Sequence, residues 1–408
     1  MKHLIGGISS AGRALPEIGG QAFSVSRSQG PWVWSGQGVR YLDTAMGFGA
    51  TMLGHAHPAV VDAVCQAVGN GLMPSFAHDL EEQAAEALAR FTGPLSQVVF
   101  VNTGSEAVHL ASRVARAATG RRAVAKFAAG YDGWFDAVAF GNAGSSDAAM
   151  AGPRPQRDGM WLLRYNDFDD AERLFRDCPD LAAVIVEPVL ANAGCIPPAP
   201  GYLKHLSDVA HRHGALVILD EVLMGFRLQA GLAGLMLGAE ADLATVGKAI
   251  GSGMPVAAVV GKPEVMATLT DGRANRAGTY NGAPPACAAV VATLDHLARQ
   301  DYPALLAAGD RARQRIVQAF AEHGQTVSTS GYGTVFTLWQ ASQAPATYQQ
   351  AAACADQGWT DRVHAALRQQ QVLNMPFAFG RMYLTFAHGQ AELDQCVGAY
   401  RAAALALA

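Results

Sequence analysis

From Val98 onward the chain alternates short, almost wholly apolar runs with longer stretches whose apolar residues recur every three or four positions. The runs are Val98–Val101, Ala123–Phe127, Ala183–Val186, Leu216–Leu219, Leu243–Val246 and Val256–Val260. Runs of four or five residues bounded by turn formers predict strands buried on both faces. Between them, Glu106–Ala118 and Tyr202–His213 carry helical periodicity, as Ala59–Val68 and Glu81–Arg90 do upstream. Strand and helix in alternation predict an α/β fold, a mostly parallel central sheet covered by helices. Two segments stand apart. Pro31–Asp43 alternates apolar and polar residues around Gly36 and Gly38 and predicts a small hairpin, followed by a Gly- and His-rich loop over Gly47–Pro58. Gly141–Gly159 has no period and is rich in Gly, Ala, Ser, Asp and Pro, so it predicts a long loop of the lid or disordered kind.

Several of the apolar runs end in charge, and one of them, Ala183–Val186, leads into Glu187. Ala215–Leu219 leads into Asp220-Glu221-Val222, and Leu243–Val246 leads into Gly247-Lys248-Ala249-Ile250-Gly251. A carboxylate at the end of a buried strand sits at the carboxyl edge of the sheet, where α/β proteins bind ligands. A lysine among apolar residues and glycines is a candidate Schiff-base former, because desolvation favours the free amine. An aldehyde cofactor with a basic ring nitrogen needs both groups, and pyridoxal 5'-phosphate is that cofactor. Asn102-Thr103-Gly104-Ser105-Glu106 follows a strand and opens a helix with a T-x-x-E capping box. By itself this motif fits an ordinary helix cap as well as an anion cradle at a helix N-terminus.

Composition narrows the picture. The chain has 408 residues, half of them hydrophobic, which is enough for one large domain and a smaller companion. A net charge of −4 without a basic stripe argues against nucleic acid as a partner. The longest apolar stretches are too short to span a bilayer, and the N-terminus lacks a signal-peptide core, so a cytoplasmic enzyme is expected. Six scattered cysteines have no metal or disulfide spacing, and no metal site is expected. A nucleotide-binding scaffold is the competing class. It would need G-x-G-x-x-G between the first strand and helix, and none is there.

The ordered motifs resemble the class III, fold type I pyridoxal-phosphate aminotransferases, and within them the glutamate-1-semialdehyde aminomutases, from about Ser9 to about His388. The resemblance implies a large cofactor-binding domain over 54–300 and a smaller α/β domain from residues 1–53 and 301–408. It implies that Thr103, Gly104 and Ser105 cradle the cofactor phosphate and that Tyr131 stacks on the pyridine. Glu187 and Asn192 are placed near the cofactor, Asp220 on the ring nitrogen and Val222 under the ring. Lys248 holds the aldehyde and serves as base and acid. Thr279, in Gly278-Thr279-Tyr280-Asn281-Gly282, is expected to reach the phosphate of the neighbouring subunit, which implies a homodimer. At the substrate end, Arg13 falls on a carboxylate-binding arginine and Phe48 on a family tryptophan. Several positions depart from the pattern. Asp132 stands where His is usual, Ala283 where Asn is usual, and Gly380 where the aminomutase has a glutamate. Arg381, beside Gly380, is either a second carboxylate contact or a surface charge. The expected reaction moves an amino group between a carboxylate-bearing amino compound, such as a β- or ω-amino acid, and a keto acid. The alternative is the aminomutase reaction, which forms 5-aminolevulinate from one molecule.

Overall fold

The computed structural model describes residues 3–15, 17 and 23–408. Its centre is an eight-stranded sheet: β1 (Gln97–Val101), β2 (Ala123–Phe127), β3 (Gln156–Arg157), β4 (Met160–Leu163), β5 (Leu181–Val186), β6 (Leu216–Glu221), β7 (Leu243–Val246) and β8 (Ala257–Gly261). The spatial order is β1-β8-β7-β6-β5-β2-β4-β3. β7, β6, β5, β2 and β4 pair in parallel, while β8 is antiparallel to both β7 and β1, and β3 to β4. The apolar runs are continuous because both faces are covered. Along β6, Val217 and Leu219 enter one core and Ile218 the other; along β8, Ala258 and Val260 oppose Ala257 and Val259. Helix Gly104–Thr119 covers the second of these faces with Ala107, Val108, Ala111 and Val114.

The predicted strands and helices are present, with ends shifted by a few residues. That β8 runs backwards was not predicted, since an apolar run carries no direction. A third core packs helices Tyr302–Glu322, Gln357–Gln369 and Gln390–Ala406 against Leu42, Phe336 and Met382. The Pro31–Asp43 hairpin forms, as strands Trp32–Ser35 and Arg40–Asp43, and joins a four-stranded sheet in which Leu42 pairs with Val372.

Gly141–Gly159 is more ordered than its composition predicts. It contains a helical turn at Ser146–Ala149 and strand β3. Ala148 and Met150 are buried, and the Gly144 amide donates to Tyr348 Oη at 2.8 Å. Tertiary contacts supply the order that local periodicity lacks. No helix among the described residues is long and apolar enough to cross a membrane.

Candidate active site

The parallel strands all present their carboxyl ends on one edge, and the turns leaving that edge enclose a cavity of ≈ 520 Å³. Thr103, Gly104 and Ser105 follow β1; Tyr131 and Asp132 follow β2; Glu187 and Asn192 follow β5; Asp220 ends β6; Lys248 follows β7. Elements far apart in sequence thus meet at the place where an open α/β sheet binds ligands.

The start of helix Gly104–Thr119 forms part of the wall. Thr103 Oγ1 accepts the Glu106 amide at 3.2 Å, and Glu106 Oε2 accepts the Thr103 amide at 2.8 Å, so the capping box is complete. The amides of Gly104 and Ser105 lie in the first turn, where a helix offers no acceptor of its own, and the helix dipole favours an anion there. Gly104 is required by packing: a Cβ there would lie 2.9 Å from Val222 Cγ1. A Cβ at Gly133 would likewise lie 2.8 Å from Ser105 Oγ, and the Trp134 amide donates to that oxygen at 3.2 Å.

Asp220 and Lys248 line the same cavity. Asp220 stands opposite Thr245 in the β6–β7 register, and Asp220 Oδ1 accepts the Thr245 hydroxyl at 3.2 Å and the Val222 amide at 3.0 Å. Burial pushes its carboxyl up to about 7, Asp132 adds to the rise, and its hydrogen bonds oppose it. Burial takes Lys248 down to about 8, assisted by the Arg381 guanidinium and opposed by Asp220 and Glu187. Lys248 also holds φ at +43°, a left-handed conformation that non-glycine residues rarely adopt and that clusters at functional sites.

Glu187 bridges two loops. Oε1 accepts the Tyr131 amide at 3.0 Å, while Oε2 accepts the Ala191 amide at 3.3 Å and Asn192 Nδ2 at 3.5 Å. Burial, then Asp132 and Asp220, push its carboxyl up to about 8. Tyr131 remains half-exposed at the cavity wall.

Arg13 lines the same cavity from the turn Ala11–Arg13. Of the predicted segment Gly7–Gln21, Pro16 and Ile18 to Gln21 lie outside the described residues. Phe48 does not line the cavity; its ring packs on Gly12, whose Cβ position is 3.5 Å from Phe48 Cζ, so it supports the turn that carries Arg13. Thr279 is exposed and outside the cavity of its own chain. Its loop is tied to the segment that opens helix Gly104–Thr119, where Asn102 Nδ2 donates to Asn281 Oδ1 at 2.9 Å. Arg381 is buried, with Nε donating to Tyr383 Oη at 2.8 Å and Nη1 to the Ala191 carbonyl at 3.1 Å, and is not a surface charge. Sequence reasoning missed the buried pair Lys126 and Asp132 and the Thr245 hydroxyl. A lysine inside the apolar run Ala123–Phe127 was the available signal for the first.

The cavity fits pyridoxal phosphate on its own chemistry. An anion cradle without room for a side chain at Gly104, a buried carboxylate and a desolvated amine share one cavity. Comparison with known proteins agrees. A family model described as Aminotransferase class-III matches residues 17–364. A glutamate-1-semialdehyde 2,1-aminomutase of Nitrosospira multiformis is 35% identical over 405 residues, covering 97% of this chain and 94% of that protein. A solved transaminase with PLP bound superposes with a TM-score of 0.88 at 27% identity, covering 99% of this chain and 96% of that one. A β-phenylalanine aminotransferase from Variovorax paradoxus gives 0.85 at 28% identity, covering 97% and 90%.

Proposed function

The chain belongs to the class III aminotransferase family of pyridoxal-phosphate-dependent enzymes, and from that premise we propose that it is a two-substrate transaminase. It would take an amino group from a carboxylate-bearing amine, a β- or ω-amino acid, and give it to a keto acid. The observation that carries this reading over the aminomutase is at Gly380. A Cβ there would lie 2.5 Å from the Met375 carbonyl oxygen and 2.6 Å from that of Phe377. The backbone is built around glycine, so no side chain can stand where the aminomutase resemblance calls for a glutamate.

The geometry supports the residue roles in this reading. The Gly104 and Ser105 amides with the Thr103 cap hold the phosphate. Tyr131 and Val222 would hold the ring, with Glu187 and Asn192 as polar neighbours in the same cavity. When bound, pyridoxal phosphate supplies an aldehyde that takes up an amino group and a cationic ring that draws electrons from the adjacent carbon. Asp220 would hold a proton on the ring nitrogen. Lys248 Nζ, brought to about 8, accepts and returns a proton near neutral pH. Arg13 takes the substrate carboxylate in its guanidinium fork. A homodimer in which Thr279 serves the neighbouring site accounts for its exposure and its distance from its own cavity. The cytoplasm is the expected compartment.

The 35% identical aminomutase relative favours the second reading, formation of 5-aminolevulinate from glutamate-1-semialdehyde. Cofactor-loaded protein given that compound alone, with no donor or acceptor, separates the two. Product at a rate matching turnover with amine and keto acid pairs would overturn the transaminase reading. The transaminase predicts no product from it alone, turnover with carboxylate-bearing amines, and an Arg13→Gln variant with raised KM for them.

A further inference from the structure

Beneath the cavity wall is a buried ion pair that the roles above leave unused. Lys126 lies inside β2 with its side chain fully buried. Its ammonium donates to the carbonyls of Val138 at 2.9 Å, Gly130 at 3.2 Å and Phe140 at 3.3 Å, with Asn142 Oδ1 at 3.5 Å. Asp132 Oδ2 lies 3.2 Å from the same nitrogen. An ammonium has three protons, and these oxygens share them. Asp132 Oδ2 is buried with no donor other than this ammonium.

Asp132 is 2% exposed, yet it lines the cavity. Its Oδ2 and Glu187 Oε1 both lie within 3.5 Å of the Cβ position at Gly130, so the two carboxylates face one corner of the cavity wall. The charged and titratable groups around it are Lys126 on β2, Tyr131 beside it, Glu187 after β5, Asp220 on β6, Lys248 after β7 and Arg381 behind Glu187. Burial raises the Asp132 carboxyl and Lys126 pulls it back. Lys126, surrounded by oxygens, is placed to balance a negative charge at Asp132.

We propose that Asp132, seated by Lys126 in the cavity wall, is a positioning residue that acts through Asp220 and fixes the charge state of the bound cofactor's ring nitrogen. A second buried negative charge raises the proton affinity of the Asp220–ring nitrogen pair, and it is felt strongly because water is excluded. The Lys126 contacts also hold the Gly130–Asn142 loop, which carries Tyr131, so one ammonium sets both the position of the stacking ring and the charge beside it. The proposal rests on the reading of Asp220 as the ring-nitrogen partner.

The test is made on the holoenzyme loaded with pyridoxal phosphate ¹⁵N-labelled in the ring, whose nitrogen chemical shift reports protonation without turnover. Asp132→Asn should lower the pH midpoint of ring-nitrogen protonation by about one unit or more. Asp132→His removes the same charge with the residue usual at this position in the family, and decides the matter if the Asn variant does not fold. A midpoint unchanged in the folded variants, even with weaker cofactor binding, would reduce Asp132 to a loop-holding role and overturn the proposal. Asp220→Asn keeps the two readings apart. If it leaves the nitrogen signal unchanged, the Asp220 assignment fails. If it moves the signal and the Asp132 variants do not, only the Asp132 proposal fails.

Discussion

Lys248 is placed where its amine is free far more often than an ordinary lysine's. Burial and the Arg381 guanidinium bring it from 10.5 to about 8. At pH 7 a group at 8 is about one-tenth unprotonated, against roughly 0.03% for one at 10.5, a ratio of about 300. Only the unprotonated amine attacks an aldehyde. The rate at which apo-protein captures pyridoxal phosphate should therefore rise with pH and level off above about 8, two pH units or more before a solvated lysine would. Arg381→Gln removes the neighbouring cation while leaving an amide to donate to the Ala191 carbonyl. Without that repulsion the ammonium is favoured and the midpoint moves up. A midpoint higher by about one pH unit slows capture at pH 7 by up to about tenfold. The assay is stopped-flow absorbance of apo-protein mixed with excess pyridoxal phosphate across a pH series. Lys248→Ala serves as the blank. A wild-type midpoint near 10, or an Arg381→Gln midpoint unchanged or lower, would refute the argument that burial and this guanidinium activate Lys248.

Gly104→Ala places a methyl 2.9 Å from Val222 Cγ1, so the helix start or Val222 must shift; cofactor affinity in equilibrium dialysis should fall about tenfold or more, and Val222→Ala in the same chain should restore much of it. Glu221 is fully buried, with one oxygen on the Gly234 amide and the other without a partner, and burial pushes its carboxyl from 4.5 to about 8. A folded-state value above the unfolded one means stability is greatest below about 4.5 and is lost as pH rises to about 8, by up to about 5 kcal/mol. Glu221→Gln keeps the acceptor and lacks the titration, so urea midpoints of the two apo-proteins should agree at acid pH and diverge in favour of Gln toward pH 8; parallel curves would sink this account.

Much of the site was legible because its residues sit at the ends of strands that local pattern reveals. Asp220, Glu187 and Lys248 each follow an apolar run, and the Thr103 box announces a helix start. Their convergence follows from parallel pairing, which puts successive strand ends on one edge. Phe48 was assigned to the substrate by resemblance, and the fold sets its ring against Gly12, next to Arg13, a contact that no local pattern announces.

What the sequence determined by itself is the set of elements and the kinds of chemistry at their ends, because burial on both faces demands continuous apolar strands and short-range caps need only neighbours in the chain. What only the tertiary structure decided is whatever depends on packing between distant segments. The reversed β8, the ordering of Gly141–Gly159 through Tyr348, and the burial of Lys126 beside Asp132 all belong there. So does the lowering of Lys248, since desolvation is a property of the surrounding structure and no residue carries it alone.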